Sequence, residues 1–294
     1  MTMLTALRVA ALAIMLAATL VIGPPAAAQA PPDLRIPGPV QTHGACRADN
    51  VTWVMGDGLC LPIRSFVPRR VQRGMVLVVF LHGNVGAPNA PVGDDLSGFA
   101  ADIVQGSGAQ GSGAQQGVIA VAMTRPGHTG ADGRPAEGMF RPQLFADSAD
   151  GPAVADAVAR LKRHYGARRV VMVGFSGGSR LIARMVQNRL GAFDAAVLYA
   201  CPCEDPANEI AEAVPEGNAL YPRRLQLAVI TGTLDYGTRG GPAFVRVVGM
   251  RGAPATFRPL RNQAHVFDDF AWSTAVKPAL LRFIRGLPPA PPGR

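Results

Sequence analysis

The sequence predicts an α/β protein: one domain, with a mostly parallel central sheet and helices on both of its faces. Three observations carry that expectation. Apolar runs such as Met75–Leu81, Gly117–Met123 and Ala192–Ala200 are bounded by turn residues, which is how strands buried on both faces read. Segments of helical spacing stand between them, most clearly Asp147–His164 and Ser179–Leu190. The strand-then-helix order repeats to the end of the chain, which implies parallel strands whose carboxyl ends carry the site.

The first residues set the compartment. Arg8 is the only charge before Asp33, an apolar run extends from Val9 to Ile22, and Ala26–Ala28 supply small residues for cleavage. Residues 1–28 are therefore expected to be a secretory signal peptide, cut after Ala28. The alternative is an uncleaved anchor, but the run is shorter than the roughly 18 to 20 residues that span a bilayer. The protein is expected to be exported, periplasmic or extracellular, with no stable membrane insertion after cleavage. Residues 29–74 read as a Pro-rich approach and the first strands, 75–286 as the core and 287–294 as a Pro-rich tail, a length that suits a single α/β domain.

Composition narrows the partners. The formal net charge is +9, yet the arginines are scattered, the longest basic runs are pairs such as Arg69–Arg70 and Arg168–Arg169, and aromatic interleaving is absent, so nucleic acid is not an expected partner. Four cysteines in an exported chain suit disulfides. Cys46 and Cys60 flank a hairpin-like segment around Gly56–Gly58 and are the expected pair. Cys201 and Cys203 either close a small strained ring or serve as a reduced, redox-active or metal-binding pair. No third ligand stands nearby, which argues against zinc. Neither a metal nor an organic cofactor is expected.

The elements follow in order. Strands are expected around Thr52–Met55, at Leu59–Phe66 and at Met75–Leu81, the last running into His82, Gly83 and Asn84. A helix around Asp94–Val104 leads to a repeated Gly-Ser-Gly-Ala-Gln sequence over 106–115, expected to be a flexible loop. Gly117–Met123 is a strand ending at the Gly-containing segment Arg125–Gly130, and Asp147–His164 is a helix. Ala167–Val173 is a strand that enters Gly174-Phe175-Ser176-Gly177-Gly178, after which Ser179–Leu190 is helical. The remainder reads as strand Ala192–Ala200, a short helix near Asn208–Val214, strand Leu225–Thr231, helix Pro242–Met250, strand Ala255–Leu260 and helix Phe270–Ile284.

A serine at the apex of a strand–turn–helix is held out of the sheet in a strained conformation, and small flanking residues let strand and helix approach. Serine is a poor nucleophile without a base in hydrogen-bond reach and an acid to fix the tautomer of that base. Among the five histidines, His43 lies in the N-terminal approach, His82 before a loop, His128 in a Gly-rich loop and His164 on a charged helix end. His265, just past the last strand, is the expected base. Asp235, just past the strand Leu225–Thr231, is the expected acid, with Glu204 and Asp205 as the alternative; Asp268 and Asp269 read as a helix start.

The order Ser176, Asp235, His265, with Leu81–Asn84 after the third strand, resembles the α/β-hydrolase superfamily over roughly Met75 to Arg285. The resemblance implies an oxyanion hole made by the backbone N–H of Gly177 and that of Asn84, with Val85 as an alternative for the second. Asn84 stands where many lipases and esterases carry a glycine. Arg125–Gly130 is similar to the Gly-rich loop that shapes the mouth of the site in many members, so Arg125 and His128 are candidate substrate contacts, or else parts of a structural turn. Only about 25 residues separate Ala200 from Leu225, where the superfamily usually inserts its lid, which leaves little or no lid and favours small or accessible acyl substrates. The chain thus looks like a secreted serine hydrolase, foremost a carboxylesterase, resembling the lidless dienelactone-hydrolase and prolyl-oligopeptidase-like branches. A small-molecule ester or peptide is the expected substrate. A peptidase acting on short peptides and a non-catalytic binding protein of the same fold are the alternatives. Spacing along the chain carries no information on oligomeric state.

Overall fold

The computed structural model describes residues 36–37, 49–69, 71–84, 90–93, 95–108, 117–140, 150–213, 221–222, 224–236, 238, 240–286 and 288. The expected signal peptide, Cys46, Val85, most of the Gly-Ser-Gly-Ala-Gln repeat and all of the tail except Pro288 lie outside these residues. Arg35–Arg294 form one compact unit.

The apolar runs become the strands of an eight-stranded sheet. In chain order the strands of the described residues are β1 (Ile36–Pro37), β2 (Trp53–Gly56), β3 (Leu59–Phe66), β4 (Val76–Leu81), β5 (Val118–Met123), β6 (Met139–Phe140), β7 (Arg169–Phe175), β8 (Ala195–Tyr199), β9 (Gln226–Gly232) and β10 (Ala255–Leu260), of which β1 and β6 form a separate antiparallel pair. The sheet order is β10-β9-β8-β7-β4-β5-β3-β2. From β10 to β5 all neighbours are parallel, while β3 runs antiparallel to β5 and β2 antiparallel to β3. Pro259 sits in the edge strand β10, where a missing N–H costs no ladder bond on the open side.

The helices are α1 (Ser97–Gly108), α2 (Asp150–His164), α3 (Gly177–Gln187), α4 (Glu204–Ala213), α5 (Gly241–Met250) and α6 (Asp269–Ala271), which continues through a π-helical turn at Trp272–Val276 into α7 (Lys277–Ile284). Alternation along β4 divides the core. Leu77, Val79 and Leu81 face a layer that includes Val154, Leu161, Leu181 and Phe244 from α2, α3 and α5. Val76, Val78 and Phe80 face Ile103 of α1 and Trp272, Leu280 and Phe283 at the C-terminal end. This two-sided burial is why the strand runs are continuously apolar.

Several boundaries depart from the sequence reading. α1 begins at Ser97 and runs to Gly108, taking in the first three residues expected to be loop; Gly106 lies close to the Lys277 side chain, where helix packing offsets the low helix propensity of glycine. α4 begins at Glu204, four residues earlier than expected, with Glu204 and Asp205 in its first turn, where carboxylates favour the helix dipole. The two-residue pair β1–β6 is too short to leave a periodic signal.

The start of α6 matters because His265 lies just before it. Asp268 caps this helix, its Oδ1 accepting from Ala271 N at 2.8 Å and its Oδ2 from Gln263 Nε2 at 3.0 Å. The bond from the Ala271 amide is the main cause that holds the Asp268 carboxyl below its usual range. A depressed folded-state pKa gives stability that is present above the unfolded value of about 3.9 and is lost as pH falls through the folded one. Asp268→Ala should therefore cost about 1 kcal/mol at pH 7 in urea unfolding, and the difference between the two proteins should shrink as pH falls from the unfolded carboxylate value through the lower folded one.

Candidate active site

β7 ends at the carboxyl edge of the sheet, and the chain turns at once into α3. Ser176 occupies the turn with φ 49° and ψ −114°, a conformation that costs a side-chain-bearing residue energy unless its surroundings hold it. They do so through several bonds. Ser176 N donates to Tyr199 O at 3.0 Å, and the Ser179 hydroxyl bonds both Gly174 O at 2.6 Å and Tyr199 O at 2.9 Å, tying the turn to β8. The first turn of α3 also presses on β4: a Cβ on Gly178 would lie 2.2 Å from Leu81 O and 2.6 Å from His82 O. Only glycine permits that approach.

His265 reaches the serine from the loop after β10. Its Nε2 lies 2.9 Å from Ser176 Oγ and its Nδ1 2.8 Å from Asp235 Oδ2. The carboxylate accepts a hydrogen bond from Nδ1–H in this arrangement, which leaves Nε2 as the acceptor facing the serine. The Asp235 side chain is fully buried and its Oδ1 has no hydrogen-bond partner among the described residues, so the imidazole is the partner these residues offer that carboxylate. The two loops are brought together by backbone contacts. Leu234 N donates to Gln263 O at 3.0 Å, Asn262 N to Thr233 Oγ1 at 2.9 Å, and a Cβ on Gly232 would lie 2.1 Å from Gln263 O. The Phe175 ring lies 5.2 Å from the His265 ring and 5.6 Å from Phe267, supporting the imidazole from the core side. Glu204 and Asp205, the alternative acids, stand elsewhere: Asp205 pairs with the buried Arg180 at 2.5 Å and Glu204 opens α4.

Asn84 and Gly177 also come together. A Cβ on Gly177 would lie 2.0 Å from Asn84 Oδ1 and 2.6 Å from Arg125 Nη1, so the Asn84 side chain rests on the first residue of α3. Arg125 and His128, candidate substrate contacts or else parts of a structural turn, lie in the interior. Each is only 2% exposed, and both turn inward beneath the loop after β4. Arg125 Nη1 donates to Asn84 Oδ1 at 2.8 Å and to His82 O at 3.3 Å, and its backbone N–H donates to His82 Nε2 at 3.0 Å. That last bond leaves His82 Nδ1 to donate to Gly83 O at 2.7 Å. His128 Nδ1 donates to Pro126 O at 2.9 Å. The physical reason is the loop Arg125–Gly130, which folds back so that its long side chain fills the space under Asn84.

Burial keeps both imidazoles neutral. Desolvation, reinforced by the charge of Arg125, pushes His128 down to about 3 and His82 well below its ordinary value. Arg125 is itself lowered by desolvation to about 10, against which the Asp150 carboxylate works, and it remains cationic at neutral pH. Sequence reading missed His82 and Arg125 as an inner brace. The signal available was a histidine directly following a fully apolar strand, which marks a residue at the margin of the core.

Cys201 and Cys203 are disulfide-bonded to each other and fully buried just past β8. Cys60 is disulfide-bonded as well, its expected partner Cys46 lying outside the described residues. Among the described residues no group of three or more His, Cys, Asp or Glu side chains could hold a metal ion, and no helix is long and apolar enough to cross a membrane. Two cavities of about 370 and 410 Å³ are lined by residues such as Phe193 and Tyr221, and by Met55 and His164; neither touches Ser176.

Comparison with known proteins agrees with this architecture. A model of the alpha/beta hydrolase family matches residues 78–293. No curated protein matches the chain. Among solved structures, the chain is similar to Est1E from Butyrivibrio proteoclasticus with ferulic acid bound (14% identity, TM-score 0.54, 80% of this chain and 100% of that one). It is also similar to an esterase from Pyrobaculum calidifontis (16%, 0.53, 79% and 82%) and to an alpha-beta serine hydrolase homologue from Coxiella burnetii (13%, 0.52, 80% and 95%). At these identities the likeness is one of fold.

The contact between α3 and β4 generates a test. Gly178→Ala should lower the unfolding free energy by at least about 2 kcal/mol, because the clashing atom is a backbone oxygen that cannot yield. Gly249→Ala, where an added Cβ meets nothing within 4 Å on the helix α5, should be neutral or stabilising in the same denaturant titration.

Proposed function

The chain belongs to the α/β-hydrolase family, and from that premise we propose that it is a serine hydrolase that cleaves carboxylic esters through an acyl-enzyme. The observation that carries the reading is the hydrogen-bonded chain from Ser176 Oγ through His265 to the buried Asp235, at 2.9 and 2.8 Å, with the serine at the apex of a strained turn. In the proposed cycle His265 Nε2 takes the hydroxyl proton as Ser176 Oγ attacks the ester carbonyl. Asp235 holds the ring in the tautomer that leaves Nε2 free and stabilises the imidazolium that forms. The imidazolium then protonates the departing alcohol. Water, activated by the same nitrogen, cleaves the acyl-enzyme and restores Ser176.

The developing oxyanion is assigned to the backbone N–H groups of Gly177 and Asn84. The close packing of these two residues supports that assignment, as does Arg125, whose bond to Asn84 Oδ1 fixes the second donor. Arg125 is in this reading a positioning residue. Its buried charge beneath the site also favours negative charge developing above it. Export is part of the proposal, supported by the sequence of residues 1–28 and by the disulfide-bonded Cys60, Cys201 and Cys203.

Ser176→Ala and His265→Ala should abolish hydrolysis of p-nitrophenyl acetate, and Ser176→Ala should lose the adduct that a fluorophosphonate leaves in the intact mass of the wild type. Near-wild-type turnover in either variant would sink the assignment. Asp235→Asn should keep the fold and lose on the order of 10⁴-fold in kcat, because the amide presents the wrong partner to Nδ1. Arg125→Lys should lower kcat by roughly 10- to 100-fold with little change in KM, less than the loss of a whole oxyanion donor; equal changes in both constants would argue for a general structural role.

A further inference from the structure

The edge of the sheet opposite Ser176 carries the cavity of about 370 Å³ that the triad does not use. Its walls come from segments that meet at the amino ends of β8 and β9. Lys162 stands in the last turn of α2, Arg189 just past α3, Phe193 and Asp194 just before β8, and Tyr221 and Leu225 before β9. Ser176 instead follows the carboxyl end of β7, which pairs in parallel with β8. The two places are thus about one strand length apart, roughly 15 to 25 Å. A small molecule held in this cavity does not reach the reacting serine.

The lining has two parts. Met185, Phe193, Tyr221 and Leu225 are buried and give it an apolar wall. Lys162, Arg189 and Arg224 bring three cations against one carboxylate, that of Asp194. Asp194 is already engaged, its Oδ2 accepting from Val170 N at 2.9 Å and lying 3.9 Å from Lys162 Nζ. Arg189 and Arg224 have no carboxylate partner among the described residues. Burial pushes the Tyr221 phenol up to about 12, and the charges of Arg189 and Arg251 work against that rise, so the field of Arg189 reaches the buried ring. The carbonyls at the end of α3, which would repel an anion, are taken by the chain itself: Asn188 N bonds Arg184 O at 2.9 Å, Arg189 N bonds Val186 O at 2.9 Å and Leu190 N bonds Met185 O at 3.0 Å.

We propose that this cavity is a binding site, separate from the triad, for a small molecule with an anionic head and an apolar body. The head, a carboxylate or a phosphate, pairs with Arg189 and Arg224, and the body lies against Phe193, Tyr221 and Leu225. The volume is that of an ordinary small-ligand pocket, and an apolar lining with a few charged groups that fix orientation is the usual composition of one. A neutral ligand would take water from the guanidinium groups and give them no charge in return. A bare inorganic anion would pair with the arginines and gain little from the apolar wall. A molecule carrying both parts satisfies both kinds of lining.

The test is calorimetric titration of the full chain with four probes: 3-phenylpropionate, its neutral counterpart 3-phenylpropanamide, phenyl phosphate and inorganic phosphate. At least one of the two aryl anions should bind saturably, and the tighter of them identifies the head. The amide and the inorganic ion should each bind at least about tenfold more weakly than that anion. Arg189→Gln combined with Arg224→Gln should weaken the anion at least about tenfold, the loss of one charge-assisted bond or more, and leave the urea-unfolding midpoint as in the wild type. Both arginines are exposed, so the pair can be changed without opening the core. Absence of saturable binding of either aryl anion at millimolar concentration overturns the proposal. So does an amide that binds as well as the acid, an inorganic phosphate that binds as well as the phenyl ester, or an affinity that survives loss of both arginines. The readout is binding alone, so failure of the esterase reading leaves this test as it stands.

Discussion

The close approach of α3 to the end of β4 is the constraint from which the rest of the site follows. Gly178 lies against Leu81 O and His82 O, with no room for a Cβ. Because the helix starts so near the sheet, the chain leaving β7 has no length in which to turn gently, and Ser176 is forced to positive φ. The same approach sets Gly177 against Asn84, so nucleophile and the proposed oxyanion donors are placed by one packing contact. Strain at Ser176 is then held by bonds that belong to the sheet, from Ser176 N and Ser179 Oγ to Tyr199 O in β8. A strained residue persists where its surroundings over-determine it, and here they are the middle strands of the sheet.

Beneath this contact lies an unusual electrostatic arrangement. Arg125, His82 and His128 are all buried, and desolvation discourages charge on each. The outcome is uneven because the ordinary pKa of a guanidinium is so high that burial leaves it charged, whereas an imidazole loses its proton under the same penalty. The cluster thus carries one positive charge, opposed by Asp150, with bonds to His82 O and Asn84 Oδ1. A buried cation is costly unless partnered, so its retention under the loop after β4 ties the conformation of that loop to the presence of the guanidinium.

The histidine side of the site is joined to the opposite layer of the core. Phe175, Phe267 and Tyr199 pack against one another, and Phe267 continues to Phe99 and Trp272. Trp272 Nε1 and Lys277 Nζ both bond Asp102 Oδ2 in α1, at 2.7 and 2.6 Å. His265 is therefore carried by a loop whose following helix is fastened to α1, while its own ring meets solvent. Rigidity below and exposure above suit a base that must hold one geometry while remaining open to solvent.

The sequence alone determined the strand order along the chain and the serine turn, and it narrowed the expected partners of Ser176 to His265 and to Asp235, with Glu204 and Asp205 as the alternative acids, for a physical reason. Strands buried on both faces must be continuously apolar, and in a parallel sheet the residues just past such runs gather at one edge. It did not determine where Arg125 points. An Arg-Pro-Gly-His turn has the same local pattern whether its arginine faces a substrate or the core, and the partner that decides the matter, Asn84, is 41 residues away. The early start of α4, which packs on α3 and α5, and the extension of α1 into its glycines were likewise settled by tertiary contacts. Local patterns record which residues are buried; only tertiary structure decides what a buried polar group is buried against.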